Sequence, residues 1–145
     1  MYVAGNTTSN SGFELGRYAN NSYELCNDTT NGTVVNGLAV LTANGCAAKP
    51  GSAMTAGVIG AVIANAGTSG TATLVRTGTA TCNFDATATV VGDYVVASST
   101  PAGGGFYYLC HDAGATLPTG VLWTFDLGSA GLPFLTPSTL SGANP

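Results

Sequence analysis

Half of the histidine, cysteine, aspartate and glutamate residues of this chain lie in one stretch, Thr79–Gly114. It contains the single histidine, His111, and two of the four cysteines, Cys82 and Cys110. A histidine supports catalysis only beside a nucleophile or an acid–base partner, and it holds a metal only with further ligands. The chain has no second imidazole and the stretch has no glutamate, so we interpret His111 as a hydrogen-bonded structural residue.

Three aspartates of the same stretch, Asp85, Asp93 and Asp112, could gather around a cation. Sites made only of oxygen ligands suit calcium, but the spacing here is not that of an EF-hand loop. Asp93 and Asp112 lie at expected turns, where aspartate side chains commonly bond to the backbone. We therefore predict turn capping, with no metal and no cofactor.

The arrangements expected of an enzyme are missing around these residues. Cys110 directly precedes His111, and neighbours in a strand point to opposite faces of a sheet, so the pair is badly oriented for thiol catalysis. The chain has no GxSxG motif, and the glycine run 103–105 lacks the lysine and the following helix of a phosphate-binding loop. We predict that the chain is not an enzyme.

The scarcity of charge limits the classes of partner. Charged residues make up 7% of the 145 residues, whereas about 25% is typical of soluble domains. With three basic residues and a net charge of −4, the chain cannot form a phosphate-binding face, which excludes nucleic acid. A monomer normally relies on surface charge to stay soluble. Hydroxyl and amide groups, attached sugars, or burial against neighbouring subunits would replace that protection here.

Four Asn-x-Ser/Thr triplets are candidate sites for attached sugar. They begin at Asn6, Asn20, Asn27 and Asn31. The same residue types are common in turns, so loops over residues 13–36 are the alternative explanation of this composition.

The four cysteines allow three disulfide pairings. We favour Cys26–Cys46 and Cys82–Cys110, because each pair lies in one local stretch and hairpins bring such positions together. No CxxC pair is present, which favours disulfides over zinc and predicts an oxidising compartment or the cell exterior. The opening residues do not resemble an export signal, so we expect the natural start or its signal to lie elsewhere. The chain has no run of about 20 apolar residues, so the sequence predicts no membrane-spanning helix.

The elements that must position these residues are predicted to be strands. The composition, rich in Gly, Ala, Thr, Ser, Asn and Val, suits β-structure with many turns. Residues 57–65, GVIGAVIAN, fit a helical period as well, but two interior glycines and four β-branched residues favour a strand buried on both faces. The clearest further strand candidates are residues 37–42, 71–77, 79–82, 94–98, 106–110 and 121–127.

The spacing of these segments predicts about eight strands in a single all-β domain, a sandwich or a barrel. We divide the chain into an N-terminal arm at residues 1–12, a β core at 13–127 and an extended C-terminal tail at 128–145. The arm could be a strand exchanged between molecules.

Several segments carry a resemblance. They are residues 67–73 (GTSGTAT), 82–85 (CNFD), 92–95 (GDYV), 98–100 (SST) and 110–116 (CHDAGAT). Over residues 55–122 the chain resembles an uncharacterised bacterial extracellular β-protein module, and its Gly/Thr texture is similar to phage head-decoration and fibre proteins. The resemblance implies a non-enzymatic, all-β surface component and supports the Cys82–Cys110 bridge. Residues 103–108 and 121–137 match nothing in it.

Together these features predict a structural subunit of an extracellular homopolymer, a filament or a surface layer, whose partners are copies of itself. The residues expected at the subunit interface are apolar and lie near the two ends: Tyr2, Val3, Ala4, Leu132, Phe134 and Leu135. A virion decoration or fibre protein is the first alternative. A carbohydrate-binding module is the second, with Trp123 and the tyrosines at 94, 107 and 108 stacking on sugars.

Overall fold

The computed structural model describes residues 21–125 and 133–135, and all the regular structure there is β except for one short 3-10 turn at Gly103–Gly105. The strands are β1 (Asn21–Cys26), β2 (Leu38–Leu41), β3 (Ala47–Ala48), β4 (Val58–Ala64), β5 (Thr71–Thr79), β6 (Tyr94–Ala97), β7 (Cys110–Asp112), β8 (Trp123–Phe125) and β9 (Pro133–Leu135). The predicted all-β class is confirmed. None of the described residues forms a helix long and apolar enough to cross a membrane.

The strands form two antiparallel sheets that share β5. The first sheet has the order β1–β5–β4–β2–β3, and the second continues from β5 through β9, β8 and β6 to β7. Most of β5 pairs with β1 and β4, while its last two residues, Gly78 and Thr79, pair with Leu135 and Phe134 of β9. The positive φ of Gly78, 108°, marks the point where the strand leaves one sheet for the other.

The first sheet curls until the end of β1 meets the outer edge of β3. Asn27, which follows β1, forms a parallel bridge with Ala47 of β3, and the N–H of Asp28 donates to the Ala47 carbonyl at 2.9 Å. The Cys26–Cys46 disulfide crosses between the same two segments. We call this junction the seam. At the seam the first sheet is barrel-like, one of the two architectures that the sequence predicts.

Two apolar clusters follow from this geometry. One comprises Ala39, Ala47, Val62, Ala72 and Leu74, with Tyr23 and Leu25 packed against it. The other joins both sheets and comprises Leu38, Val58, Ala61, Val75, Ala80, Cys82, Val95, Cys110 and Leu122. Strand β4 contributes to both, so the prediction of a strand buried on both faces is confirmed at Val58–Ala64.

Strand β1 lies in a region where the turn-rich composition also predicted loops. Its exposure alternates, because Ser22 and Glu24 are exposed while Tyr23 and Leu25 are half-buried against the first cluster. This period of two is the pattern of a strand with one buried face, and here it outweighs the turn preference of the neighbouring asparagines.

Two local predictions were wrong in detail. Residues 106–109 are not a strand, since the N–H of Tyr107 donates to the Pro50 carbonyl and the Tyr108 carbonyl accepts from Leu38. These bonds connect residues 106–109 to two separate parts of the chain and not to a single neighbouring strand. The strand β7 begins only at Cys110. Ala47–Ala48, which lie outside the predicted strand segments, form β3 opposite Val40 and Leu41.

Two of the residues expected at the subunit interface lie in a strand of this chain. Phe134 and Leu135 belong to β9, whose backbone pairs with β5 on one side and β8 on the other within the same chain. Their contact with a neighbouring subunit stays a prediction. Tyr2, Val3, Ala4 and Leu132 lie outside the described residues.

The close approach of β4 and β5 requires a glycine at position 60. A Cβ there would lie 2.6 Å from the Val75 carbonyl oxygen, and the φ of 156° is unfavourable for other residues. We expect Gly60→Ala to lower the free energy of unfolding by about 1–3 kcal/mol, the usual cost of overpacking, measured by urea denaturation. Gly51→Ala is the matched control, since nothing lies within 4 Å of a Cβ there. Equal stability of the two variants would contradict this packing.

Candidate functional site

The segment that follows Cys82 covers the outer edge of β7. Phe84 forms a parallel bridge with Cys110. The N–H of Cys110 donates to the Asn83 carbonyl at 2.8 Å, and the N–H of Asp85 donates to the Cys110 carbonyl at 3.0 Å. The Cys82–Cys110 disulfide joins the same two segments. Both disulfides are therefore the pairs favoured from spacing, and each lies where a chain segment covers a sheet edge.

This arrangement brings together the polar side chains that we call the Asp85 cluster: Asp85, Thr87, Ser98 and His111. The Asp85 side chain is only 5% exposed. Its Oδ2 accepts from Ser98 Oγ at 2.5 Å and from His111 Nδ1 at 2.8 Å, while its Oδ1 accepts from the Thr87 N–H at 3.0 Å. The Thr87 hydroxyl oxygen lies 3.0 Å from the same His111 nitrogen.

The hydrogen bonds favour the ionised form of the Asp85 carboxyl. Burial raises the pKa of Asp85, but hydrogen bonds from Ser98, Thr87 and His111 together outweigh burial and lower that pKa to about 2. The group is ionised at neutral pH and can only accept hydrogen bonds. His111 Nδ1 must therefore carry the proton that it donates, and the other ring nitrogen, Nε2, belongs to a side chain that is 40% exposed.

The order of contacts in the Asp85 cluster does not suit nucleophilic catalysis. In a catalytic triad the histidine lies between the serine and the carboxylate. Here the carboxylate lies between the other two, because Ser98 donates to Asp85 and accepts from the Thr100 N–H at 3.0 Å. Ser98 is also 1% exposed, which keeps its hydroxyl away from any substrate. The cluster's chemistry is that of an internal brace between the 83–87 segment, β7 and the residue after β6.

The other two aspartates form a separate pair near the far end of β7. Asp112 is buried, and its carboxylate accepts from the N–H groups of Gly114 and Val90, both at 2.8 Å. The bond to Gly114 is the turn capping expected of Asp112. Asp93 differs from the prediction, because its carboxyl lies beside Asp112; desolvation and the Asp112 charge raise the pKa of Asp93. Among the described residues, no three His, Cys, Asp or Glu side chains are grouped to hold a metal.

The seam has a polar group of its own, centred on the buried side chain of Asn27. Its Nδ2 donates to the carbonyls of Asn65 at 2.9 Å and Ser69 at 2.7 Å, and its Oδ1 accepts from Thr33 Oγ1 at 2.5 Å. The Thr33 hydroxyl oxygen also accepts from the Gly67 N–H at 3.3 Å. These bonds join the β4–β5 turn to the loop that follows β1.

This geometry bears on the candidate sugar sites. Asn27 is 3% exposed, and both hydrogens of its amide nitrogen are used, so a sugar on that nitrogen is incompatible with these bonds. Asn31 lies in the turn capped by Asp28, whose Oδ2 accepts its N–H at 2.7 Å. Asn6 and Asn20 lie outside the described residues.

No aromatic side chain among the described ones is fully exposed. Phe106 and the tyrosines at 94, 107 and 108 are half-buried. Lys49 Nζ lies 4.6 Å from the centre of the Phe106 ring, and Tyr108 packs against Gly37, where a Cβ would lie 3.1 Å from its ring. The Trp123 side chain is not among the described groups.

Sequence reasoning singled out Asp85 and His111 but missed their partners. Ser98 and Thr87 carry no motif, and their role depends on the register that places Val96 opposite His111 and Ala97 opposite Cys110. Thr33 was also missed, because nothing in the sequence around it indicates a hydrogen bond to Asn27. The fold and sites define a charge-poor, disulfide-linked all-β protein. Comparisons with protein-family models, curated proteins and solved structures found no match to the chain.

The low pKa of Asp85 predicts a specific loss of stability in acid. Because the folded-state pKa is below the ordinary value of 3.8, the ionised carboxylate stabilises the fold above that pH. The stability is lost as pH falls from 3.8 towards about 2. We expect Asp85→Asn to abolish this component of the pH dependence, measured by urea denaturation from pH 7 to pH 2.

At neutral pH the same substitution should lower the free energy of unfolding by about 1–3 kcal/mol, because an amide replaces a charged acceptor. Asp93→Asn is the matched control and should not lower it, since it removes a negative charge beside Asp112. An Asp85→Asn protein with the stability and acid response of the wild type would refute the brace.

Asn27→Ala tests the polar group at the seam. It leaves two carbonyls and the Thr33 hydroxyl without the partner they have now, and each such loss costs about 1–3 kcal/mol. We expect a decrease of roughly 2–4 kcal/mol in the free energy of unfolding, allowing for water entry. Asn44→Ala, on an exposed turn, should change it by less than about 0.5 kcal/mol. Similar effects of both substitutions would show that the seam does not depend on Asn27.

Proposed function

We propose that this chain is a non-enzymatic structural subunit of an extracellular homopolymeric filament or surface assembly. The observation that carries the proposal is how the few charges are used. Of the described carboxylates, Asp85 and Asp112 have their oxygens in internal hydrogen bonds, and Asp28 caps a turn through Thr30 and Asn31. Glu24 and Asp93 are the only other described carboxylates, so the described part of the chain offers little of the ionic surface on which a free monomer normally relies.

The disulfides support an extracellular location for such a subunit. Disulfides persist in oxidising compartments and at cell surfaces. Cys26–Cys46 and Cys82–Cys110 enclose local loops, and each is expected to stabilise the fold by about 3 kcal/mol on the loop-entropy argument. A subunit stabilised in this way would resist unfolding outside the cell, where a surface layer is located.

The sheet edges indicate where a neighbouring copy would bind. The outer edge of β3 is covered at the seam, and the outer edge of β7 is covered by residues 83–85. Strand β1 pairs with β5 alone among the described strands. The N–H of Asn27 bonds to Gly70 in the ladder register, so by alternation the backbone groups of Ser22 and Glu24 point away from β5.

An edge that is unpaired among the described strands is a candidate for strand addition by an extended segment. The occupant we propose is the apolar segment Tyr2-Val3-Ala4 of a second copy, followed by the polar residues 5–12 as a linker. Because strand addition uses backbone hydrogen bonds and apolar contact, association should be insensitive to salt.

The proposal is tested by sedimentation and electron microscopy of the full chain at high concentration. We expect polymers that persist at high salt and are lost on deletion of residues 1–12. A variant with Tyr2, Val3 and Ala4 changed to serine should also fail to polymerise. A matched variant with polar substitutions confined to Asn6, Thr7 and Thr8 should polymerise normally.

Other outcomes would replace the proposal. A monomer at high concentration, unchanged by deletion of residues 1–12, contradicts it. A small closed oligomer that co-purifies with virus particles would indicate a virion decoration or fibre protein. Binding on a glycan array that is lost in Trp123→Ala would indicate a carbohydrate-binding module.

A further inference from the structure

The chain contains three Asn-Gly pairs, at positions 31–32, 36–37 and 44–45. Asparagine before glycine is prone to a self-reaction, because glycine has no side chain to obstruct it. The glycine backbone nitrogen attacks the asparagine side-chain carbon, a C–N bond forms, and ammonia leaves. Water then opens the resulting succinimide ring and gives either aspartate or isoaspartate. The three pairs share the Asn-Gly dipeptide but differ in their flanking residues, so the folded and unfolded chains must be compared to isolate the effect of the fold.

The first pair is fixed within a closed turn. The N–H of Gly32 donates to the Asp28 carbonyl at 2.9 Å, and the N–H of Asn31 donates to the Asp28 carboxylate at 2.7 Å. Gly32 is buried, and the space a Cβ would take is only 2.5 Å from the Gly67 carbonyl oxygen. Ring closure would displace a segment of the seam.

The second pair is fixed between the two sheets. The N–H of Asn36 donates to Val62 and its carbonyl accepts from Asn83, both at 2.7 Å, while the N–H of Gly37 donates to Val34 at 3.0 Å. Gly37 is buried beneath the Tyr108 ring. Rotation of this peptide requires several bonds to break together.

The third pair has fewer such constraints. Asn44 and Gly45 are exposed at the tip of the β2–β3 hairpin, and nothing lies within 4 Å of a Cβ on Gly45. The attacking nitrogen has one bond, from the Gly45 N–H to the Thr42 carbonyl at 2.9 Å. Below the tip, the Thr42 N–H donates to Cys46 at 2.8 Å and the Cys46 N–H donates to the Thr42 hydroxyl at 3.1 Å. The tip can therefore move while the hairpin stays paired.

We propose that Asn44 is a self-modification site that deamidates in the folded protein, while Asn31 and Asn36 are protected by the fold. The product carries one further negative charge, changing the net charge from −4 to −5, on a surface with few charges. The new carboxylate lies two residues from Cys46. Because isoaspartate lengthens the main chain at the tip, the modified hairpin also differs in shape from the original. This inference does not depend on the proposed assembly.

The test follows all three sites in one sample. The oxidised full-length protein is incubated at mildly alkaline pH and digested, and the aspartate and isoaspartate peptides are quantified by mass spectrometry over time. We expect Asn44 to react at least about tenfold faster than Asn31 or Asn36, because the protected sites react only after local opening. Asn44→Gln should remove the fast reaction and the new acidic isoform on ion exchange, leaving the other two sites unchanged.

The reduced chain in urea is the control for sequence effects. With the fold removed, the three rates should converge to within a few-fold. Equal rates in the folded protein, or a faster rate at Asn31 or Asn36, would overturn the proposal. So would a ranking that persists in urea, since it would show that the fold is not what selects Asn44.

Discussion

The side chain of Asn27 is the contact on which the first sheet depends. Its amide nitrogen donates to the carbonyls of Asn65 and Ser69, and its amide oxygen accepts from the Thr33 hydroxyl. One buried side chain therefore supplies hydrogen bonds to three polar groups that lie outside the strand ladders. The Cys26–Cys46 disulfide and the Asn27–Ala47 bridge lie directly beside it. Without this junction the outer edge of β3 would also be uncovered, and the apolar cluster next to it would be open at one end.

The parts of the fold that follow from local pattern could be predicted from the sequence, and those that depend on distant pairing could not. β4 was predictable because its β-branched residues and glycines indicate a strand buried on both faces. β1 was ambiguous, since the alternation of Tyr23 and Leu25 competes with the turn preference of the asparagines around it. Residues 106–110 look like a strand, but Tyr107 and Tyr108 bond to Pro50 and Leu38, which no local pattern reveals.

The same division applies to the candidate site. Spacing favoured the two disulfide pairs, and the lack of fellow ligands indicated a structural role for His111. Composition could not show that Asp85 lies between Ser98 and His111, because that order depends on the register of β6 against β7. The residues that first suggest chemistry thus form a brace, in which an ionised carboxylate holds an exposed imidazole and a buried hydroxyl.

Strand β5 belongs to both sheets, and this couples the unfolding of the two sheets. Its first part pairs with β1 and β4, and its end pairs with β9. Neither sheet can lose this strand without exposing the apolar cluster that the two sheets share. The described strands should therefore unfold in one cooperative step, and a pull on either sheet would be carried directly to the other.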